Sequence, residues 1–402
     1  MDITLYPGAL QGQLRVIPSK SQAHRLLICA AFADEPTDII CPETNRDMDA
    51  TAQCLSLACH YIARRDYGYD VTPYGYMDTP FDSLYLNCRD SGSTLRFLLP
   101  VMGALGVYTI FKMEGRLPQR PLSPLWEEME RMGCSLKFIS ENELLCNGQL
   151  RPGDYYIDGS ISSQFITGLL FATALMDGDS TIHITGKLES RPYVDMTLDA
   201  MKQFGIEIDN FHVRGGQVFR SPGTVTVEGD WSNGAFWLAA NALGSDIEIE
   251  GLRADSVQGD RAAADLIPAL NENITVSAAD IPDLVPILSV VAAVNQGAIF
   301  TDIRRLRLKE SDRVASVIAM LKALGCEAQA TEDTLTVYPA RFTGGTVDAK
   351  NDHRIAMAAA VASTVCSGPV RILGAECVQK SYPRFWEEFK RLGGNYEQHL
   401  RR

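Results

Sequence analysis

The chain has 402 residues, of which 46% are apolar and 22% charged, a composition typical of a globular protein with two or more domains. Collagens, coiled coils and disordered chains are therefore excluded. The formal net charge of −13 argues against non-specific binding of nucleic acid, because such binding depends on Lys and Arg at phosphates. A small anionic substrate in a local cluster of cations stays compatible with this charge.

The spacing of cysteines and the hydropathy of the chain indicate the cellular compartment of the protein. The ten cysteines include no CxxC pair and no zinc-ligand spacing, which favours idle thiols in a reducing compartment. The N-terminal segment has no basic stretch followed by an apolar one, so no signal peptide is predicted. The longest apolar stretches, 97–111 and 284–294, are interrupted by Gly or Pro and too short to span a membrane. We expect a cytoplasmic protein.

One pattern recurs along the chain: an Ala-rich apolar helix, a Gly or Asp turn, and a short alternating strand. A period of roughly 50 to 70 residues suits a βαβαββ unit, and six units divide into two domains of three. An ordinary doubly wound sheet is the alternative at this point. The copies lie at 102–115, 171–186, 238–251, 290–303 and 360–374, with a looser copy at 28–43.

Two crossings of the chain between the predicted domains are indicated. Pro and Gly in 220–223 interrupt the periodic structure, and a second crossing near Pro18 leaves an N-terminal strand that pairs with the C-terminal half. Residues 65–82, rich in Tyr, Gly, Pro and Asp, are predicted to form a surface loop or hairpin. The predicted domains are 19–221, and 1–18 together with 222–402.

Small polar and basic residues cluster where apolar helices are predicted to begin. Free N–H groups at a helix start bind anions, and neighbouring Lys, Arg and hydroxyl groups strengthen such a site. In the second half, acids alternate with bases in the same way. Charge runs of this kind are mostly solvated faces, but their occurrence in both halves of an acidic chain favours anion binding. These segments are 18–25, 90–96, 115–121, 158–165, 189–193, 309–313, 351–354 and 379–381.

Taken in order, these motifs resemble the 5-enolpyruvylshikimate-3-phosphate synthase family over nearly the whole chain. The resemblance implies an α/β protein with the enolpyruvyl transferase fold: two inverse α/β barrel domains, each of three βαβαββ units, with the active site in the cleft between them. The motifs are PSKSQAHR, SGSTLRF, QRP, DGSISSQF, ESRPY, DIPD, LKESDR, NDHR and QKSYP.

The resemblance also implies the reaction. The enolpyruvyl group of phosphoenolpyruvate is transferred to the 5-hydroxyl of shikimate 3-phosphate and phosphate is released, a step of the shikimate pathway to chorismate and the aromatic amino acids. The family uses no metal or organic cofactor and is inhibited by glyphosate, which competes with phosphoenolpyruvate. We expect a monomer whose partners are these two small molecules, with no nucleic acid and no membrane.

Matched motifs imply three overlapping sets of site residues. The catalytic set is Lys20, Asp283, Lys309 and Glu310. The shikimate 3-phosphate set is Lys20, Ser21, Arg25, Ser162, Ser163, Gln164, Ser190, Tyr193, Asp283 and Lys309. The phosphoenolpyruvate set is Lys20, Gly92, Arg120, Gln164, Arg313, Arg354 and Lys380.

The sequence departs from the family at two positions and leaves two alternatives. Asp90 and Arg305 stand where the family often has Asn or another small polar residue, so no direct role is expected of them. The related transferases acting on UDP-N-acetylglucosamine carry a reactive Cys in the loop that is 115–121 here, and this loop has none. A protein that processes RNA ends on similar repeats needs a basic face, which the net charge does not favour.

Overall fold

The computed structural model describes residues 1–74 and 82–399. The chain divides into two compact units. The continuous unit is Pro18–Val227, and the discontinuous unit is Met1–Ile17 together with Glu228–Arg402.

Helices and strands are numbered in chain order. The discontinuous unit begins with β1 (Asp2–Tyr6) and β2 (Gln11–Arg15). The continuous unit contains α1 (Lys20–Ala31), β3 (Thr37–Ile40), α2 (Arg46–Leu55), β4 (Tyr61–Arg65), β5 (Gly68–Thr72), β6 (Ser83–Asn87), α3 (Gly92–Leu105), β7 (Tyr108–Lys112), α4 (Leu125–Arg131), β8 (Cys134–Ser140), β9 (Glu143–Gly148), β10 (Asp154–Asp158), α5 (Ser163–Ala174), β11 (Ser180–Thr185), α6 (Arg191–Gln203), β12 (Ile208–Asp209), β13 (His212–Val213) and β14 (Thr224–Thr226).

The discontinuous unit resumes with α7 (Trp231–Ala242), β15 (Asp246–Glu250), α8 (Ala263–Ala269), β16 (Ile274–Ser277), α9 (Val285–Val294), β17 (Ala298–Thr301), α10 (Arg313–Ala323), β18 (Ala328–Ala330), β19 (Thr334–Val337), β20 (Gly345–Asp348), α11 (His353–Ser363), β21 (Val370–Leu373), α12 (Phe385–Arg391) and β22 (Asn395–His399). Short 3-10 turns occur at Leu117–Gln119, Gly259–Ala262, Arg304–Leu308 and Ala375–Lys380.

The continuous unit repeats one sheet design. Its described residues form three four-stranded sheets, ordered β14-β3-β5-β4, β6-β7-β9-β8 and β10-β11-β13-β12. In each sheet the first two strands are parallel, and the last two form an antiparallel pair. A parallel pair needs a crossover, which α3 supplies between β6 and β7 and α5 between β10 and β11. The predicted βαβαββ units are confirmed.

The discontinuous unit uses the same design with one reduced copy. Its four-stranded sheets are ordered β16-β17-β19-β18 and β20-β21-β1-β22, and β2 pairs with β15 in a two-stranded sheet. The pairing of β1 with β21 and β22 confirms the predicted return of the N-terminal strand. The reduced copy has no hairpin because only four residues, Leu270–Asn273, separate α8 from β16.

The segments around the two predicted irregular regions take part in sheets. β14 pairs in parallel with β3, with Val225 opposite Ile39, so the chain stays in the continuous unit beyond 220–223. Within the predicted loop or hairpin at 65–82, β5 forms a hairpin with β4. Residues 75–81 of that segment lie outside the described residues.

Apolar helices form the interior of each unit. The helices α3 and α5 pack against each other in the continuous unit, and α7, α9 and α11 pack together in the discontinuous one. All residues of α11 are buried, whereas strands such as β5 and β10 alternate between buried and more exposed positions. Within the described ranges, no helix is long and apolar enough to span a bilayer.

Candidate active site

Three helices of the continuous unit begin at the predicted polar motifs. The side chains of Ser19, Ser91 and Ser162 cap α1, α3 and α5 by accepting hydrogen bonds from backbone N–H groups. The acceptor distances are 3.4, 3.3 and 3.3 Å. Serine is a favoured cap because its hydroxyl satisfies an N–H that the helix leaves unbonded. The predicted helix starts are therefore confirmed, and each one favours negative charge.

Gly92 lies against two arginines. A Cβ atom at this position would be 2.6 Å from Nη1 of Arg120 and 3.0 Å from Nη1 of Arg96, so a larger residue would displace a guanidinium. Arg96 donates to Oε1 of Gln164 at 2.8 Å, and Nε2 of Gln164 donates to Oγ of Ser93 at 3.0 Å. The structure thus brings together three predicted residues, Gly92, Arg120 and Gln164, and adds Arg96, which the sequence analysis did not assign. Because Arg96 lies one helical turn after Gly92 on α3, the sequence could have predicted that the two residues share a face of the helix.

Lys20 is ion-paired at the start of α1. Its Nζ lies 3.1 Å from Oδ2 of Asp47, in the first turn of α2, and both side chains are largely buried. The acid neutralises part of the local positive charge and fixes the position of the ammonium group. Asp47 had no role in the sequence analysis, since an acid in a first helical turn is usually explained by the helix dipole alone.

Arg25 connects α1 to the start of α6. Its guanidinium donates to the carbonyl oxygens of Ser21 and Tyr193 at 2.6 and 2.7 Å, and to Oγ1 of Thr197 at 2.9 Å. Burial lowers the pKa of Arg25 to about 10, which leaves it charged at neutral pH. The predicted residues Ser21, Arg25 and Tyr193 therefore lie together, with Arg25 holding the backbone at the other two.

Two predicted hydroxyl-bearing loops meet beside α5. The backbone N–H of Glu189 donates to the carbonyl of Gly159 at 3.2 Å, which joins the loop before Ser162 to the loop that ends at Ser190. Ser190 is buried and has a φ of 54°, a left-handed conformation that is costly for a serine. Such strain is common at binding sites.

A buried chain of hydrogen bonds connects the first three helices of the continuous unit. Nδ1 of His24 lies 2.7 Å from Oγ1 of Thr51, which lies 2.7 Å from Oγ1 of Thr94. Thr94 donates to Oγ of Ser91, the cap of α3, at 2.8 Å. Burial lowers the pKa of His24 to about 3, so the ring is neutral at pH 7. The sequence analysis did not assign these residues, because this series of hydrogen bonds forms only where the three helices pack together.

Arg313 is surrounded by carboxylates in the discontinuous unit. It donates from Nη1 to Asp283 at 2.7 Å, from Nη2 to Glu310 at 2.7 Å, and from Nε to Asp352 at 3.0 Å. Asp352 also caps α11 through the backbone N–H of Arg354. Although burial disfavours the charge on Arg313, the three carboxylates raise its pKa. One buried cation therefore fixes three acids from three segments of the chain.

Asp283 bridges several cations. Its Oδ2 accepts from Nη2 of Arg354 at 3.0 Å, and its Oδ1 accepts from Arg313 and lies 3.5 Å from Nζ of Lys309. Burial raises the pKa of Asp283, but Arg354, Lys309 and Arg313 together hold it well below the usual range. Burial lowers the pKa of Lys309 to about 8, and the charge of Asp283 opposes that shift. The structure thus brings together Asp283, Lys309, Arg313 and Arg354, with Glu310 beside them.

Further charged residues surround this cluster. Asp260 is buried in the 3-10 turn Gly259–Ala262, where burial and the charge of Asp283 raise its pKa to about 6. Arg305 contributes to lowering the pKa of Lys309, so a departure from the family pattern acts on a predicted site residue. Lys380 is buried at the end of the 3-10 turn Ala375–Lys380.

The cysteines lie apart from this cluster of charges in their chemistry. All ten cysteines are buried and without disulfides. In residues 1–74 and 82–399, no group of three or more His, Cys, Asp or Glu side chains is arranged to hold a metal ion.

In fold, the chain is similar to enolpyruvyl transferases of known structure. EPSP synthase from Acinetobacter baumannii superposes with a TM-score of 0.80 at 21% identity, over 99% of this chain and 100% of the other. The enolpyruvyl transferase NikO from Streptomyces tendae superposes with a TM-score of 0.73 at 18% identity, over 98% of both chains. These likenesses establish the class of fold, that of the enolpyruvyl transferases.

Sequence comparison gives the family. The family model described as EPSP synthase (3-phosphoshikimate 1-carboxyvinyltransferase) matches residues 6–281 and 267–389. The 3-phosphoshikimate 1-carboxyvinyltransferase of Clostridium kluyveri is 37% identical, over 98% of both chains, and that of Clostridioides difficile is 34% identical, also over 98% of both. The chain belongs to the EPSP synthase family.

Proposed function

We propose that the chain is a transferase that moves the enolpyruvyl group of phosphoenolpyruvate to the 5-hydroxyl of shikimate 3-phosphate and releases phosphate. Support comes from the full-length similarity to enzymes named 3-phosphoshikimate 1-carboxyvinyltransferase. The observation that carries the proposal is the cluster of Asp283, Lys309, Glu310, Arg313 and Arg354, which combines acids and cations in one site. We place the reaction in the shikimate pathway, leading to chorismate and the aromatic amino acids.

Shikimate 3-phosphate would bind mainly to the continuous unit. Its 3-phosphate would contact hydroxyl groups at the start of α5 and before α6, where backbone N–H groups and the helix dipole favour an anion. Arg25 would support the carboxylate side by fixing the backbone of Ser21 and Tyr193. The proposed contacts are Lys20, Ser21, Arg25, Ser162, Ser163, Gln164, Ser190 and Tyr193, with Asp283 and Lys309 from the discontinuous unit.

Phosphoenolpyruvate would use cations of both units. Its phosphate would bind beside Gly92, where the absence of a Cβ leaves room for the Arg120 guanidinium. The buried Nε of Arg120 has no hydrogen-bond partner within the described ranges, and this Arg is partly exposed. The carboxylate would bind to Arg313 and Arg354, because paired guanidinium groups suit a planar anion. The proposed contacts are Lys20, Gly92, Arg120, Gln164, Arg313, Arg354 and Lys380.

Two proton transfers would drive the chemistry. Glu310 would protonate the methylene carbon of phosphoenolpyruvate while Asp283 accepts the proton of the attacking 5-hydroxyl. In this addition the 5-oxygen bonds to C2 of phosphoenolpyruvate. The tetrahedral adduct would then lose phosphate: the new methyl group returns a proton to Glu310 as the C=C bond forms again, the C–O bond to phosphate breaks, and the proton held by Asp283 leaves with the phosphate. Lys20, Arg120 and Lys309 would stabilise the leaving charge. Arg313 contacts both Asp283 and Glu310, so the base and the acid lie beside the same guanidinium group before substrate binds.

We infer a cytoplasmic monomer that binds these small molecules, and the ten free thiols support a reducing compartment. Glyphosate would inhibit by occupying the phosphoenolpyruvate site beside Gly92. Sedimentation of the purified chain, with and without substrates, tests whether it is a monomer. Competition kinetics against phosphoenolpyruvate test whether glyphosate inhibits at that site.

The decisive experiment measures phosphate release from phosphoenolpyruvate by the purified chain. Release is expected with shikimate 3-phosphate, and not with UDP-N-acetylglucosamine or without an acceptor. Mass spectrometry should identify the enolpyruvyl ether of shikimate 3-phosphate as the product. Folded protein that releases no phosphate with both substrates, or prefers the UDP-sugar, would make the proposal wrong.

A further inference from the structure

Asp283 occupies a position between two guanidinium groups. Its Oδ1 accepts from Arg313 at 2.7 Å and its Oδ2 accepts from Arg354 at 3.0 Å, so each oxygen binds a different arginine. A carboxylate of a ligand bound to the same pair would need the same donors. The side chain of Asp283 therefore already makes the contacts that the proposed function assigns to the carboxylate of phosphoenolpyruvate.

The three acids around Arg313 differ in access. The side chain of Asp352 is fully buried, whereas those of Asp283 and Glu310 are 17% and 16% exposed. Asp352 also caps α11 and accepts from Ser311 at 3.0 Å, so it belongs to the framework of the unit. An incoming anion can reach the Asp283 side of the guanidinium group but not the Asp352 side.

We propose that the carboxylate of phosphoenolpyruvate displaces Asp283 from Arg313 and Arg354, so that substrate binding releases the base for the 5-hydroxyl. The proposal rests on the proposed function and deepens it. Two charge-assisted hydrogen bonds to Asp283 are exchanged for two to the substrate, and no covalent bond changes in this step. Asp352 and Glu310 retain Arg313 during the exchange.

Such an exchange couples binding to proton transfer. While both guanidinium groups hold Asp283, its oxygens are engaged and its charge is stabilised, which makes it a poor proton acceptor. After displacement by the substrate, Lys309, 3.5 Å from Oδ1, stays as a neighbouring cation, and the carboxylate becomes available to the hydroxyl. The base would thus become active only when phosphoenolpyruvate occupies the site.

The exchange makes Asp283 a competitor of the substrate carboxylate, which gives a distinctive test. In Asp283→Asn the competing charge is gone, so phosphoenolpyruvate should bind more tightly, by about tenfold or about 1.4 kcal/mol, while turnover is lost. If Asp283 merely supported the fold or contacted the substrate, the same variant would bind phosphoenolpyruvate equally or more weakly.

Glu310→Gln is the matched control. Glu310 contacts the same Arg313 at the same distance of 2.7 Å and has a similar exposure, but it binds Nη2 of Arg313, whereas Asp283 accepts from Nη1 of Arg313 and from Nη2 of Arg354. The affinity of Glu310→Gln for phosphoenolpyruvate should change by less than about twofold, because Glu310 does not bind the nitrogen of Arg313 that Asp283 would yield to the substrate carboxylate. Equal tightening in both variants would indicate a general charge effect and overturn the exchange.

The measurement is calorimetric titration of phosphoenolpyruvate into full-length protein without shikimate 3-phosphate, because the wild type would consume the ligand if both substrates were present. Thermal unfolding verifies that each variant is folded, and Asp283→Ser replaces Asp283→Asn if the amide variant fails to fold. Folded variants at position 283 that bind no tighter than the wild type overturn the exchange alone, provided that the wild type releases phosphate with both substrates. A wild type that releases no phosphate overturns the exchange and the proposed function together.

Discussion

The Nη1 atom of Arg313 lies 2.7 Å from Oδ1 of Asp283, and the side chain of Arg313 is 1% exposed. Glu310 and Asp352 bind the remaining nitrogens of the same guanidinium group. Removing a buried cation from such a cluster leaves several acids without their shared partner, which is strongly destabilising. Arg313 therefore supports the fold of the discontinuous unit as well as the proposed site.

We expect Arg313→Ala to lower the free energy of unfolding by about 3 to 5 kcal/mol. Arg354→Ala should cost clearly less, because Asp283 keeps Arg313 and Lys309 as partners. Denaturant unfolding compares the two variants. In calorimetry, both variants should lose much more affinity for phosphoenolpyruvate than for shikimate 3-phosphate, each measured against the wild type. Equal stability losses, or equal losses of affinity for both ligands, would contradict this assignment.

Glu310→Gln tests the proposed proton donor. The amide keeps the shape of the side chain but cannot supply a proton, so we expect kcat to fall by about 100-fold or more. Binding of shikimate 3-phosphate should stay near the wild-type value, as measured by calorimetry. Near-normal kcat in the folded variant would remove Glu310 from the chemical step.

Deprotonation of Lys309 should produce the alkaline limb of the pH profile of kcat. Because its pKa is about 8, we expect kcat for phosphate release to decline as pH rises through 8. The decline should not reflect unfolding: a lysine pKa below the ordinary 10.5 means that the folded state binds fewer protons, so this group makes stability rise between pH 8 and 10.5. Lys309→Arg should move the limb to higher pH. An unchanged limb would assign it to another group.

His24 should contribute to the loss of stability of the continuous unit at acid pH. Burial lowers its pKa from 6.5 to about 3, so the unfolded chain takes up the proton first and stability falls as pH decreases below 6.5. We expect His24→Asn to make the free energy of unfolding less dependent on pH between 6.5 and 5. Chemical unfolding at several pH values measures this pH dependence of the free energy of unfolding. His183→Asn is the control, because the side chain of His183 is exposed. Parallel curves for wild type and His24→Asn would contradict the prediction.

Gly92→Ala tests the phosphate end of the site. The added methyl would lie 2.6 Å from Nη1 of Arg120 and 3.0 Å from Nη1 of Arg96, so a guanidinium must shift. We expect glyphosate inhibition to weaken more than use of phosphoenolpyruvate, because the larger ligand tolerates less displacement. Competition kinetics give the ratio of the inhibition constant to KM for both proteins. An unchanged ratio would show that Gly92 does not line a shared site.

The sequence by itself determined the repeated units and the helix starts. Ser19, Ser91 and Ser162 cap helices within three residues of themselves, and helix and strand periods are set by neighbouring residues. Such local interactions can be recognised without knowing the fold. The ordered motifs also identified the family, because each places a particular polar group at the start or end of a repeated element.

Only the tertiary structure decided which charges meet. The contacts of Asp283 with Arg354 and of Arg96 with Gln164 join residues 71 and 68 positions apart. Nothing local in the sequence shows that Arg313 is shared by three acids or that Asp260 is buried near Asp283. Buried charges must be paired to offset their loss of hydration, and the partner depends on how the units of the repeat pack.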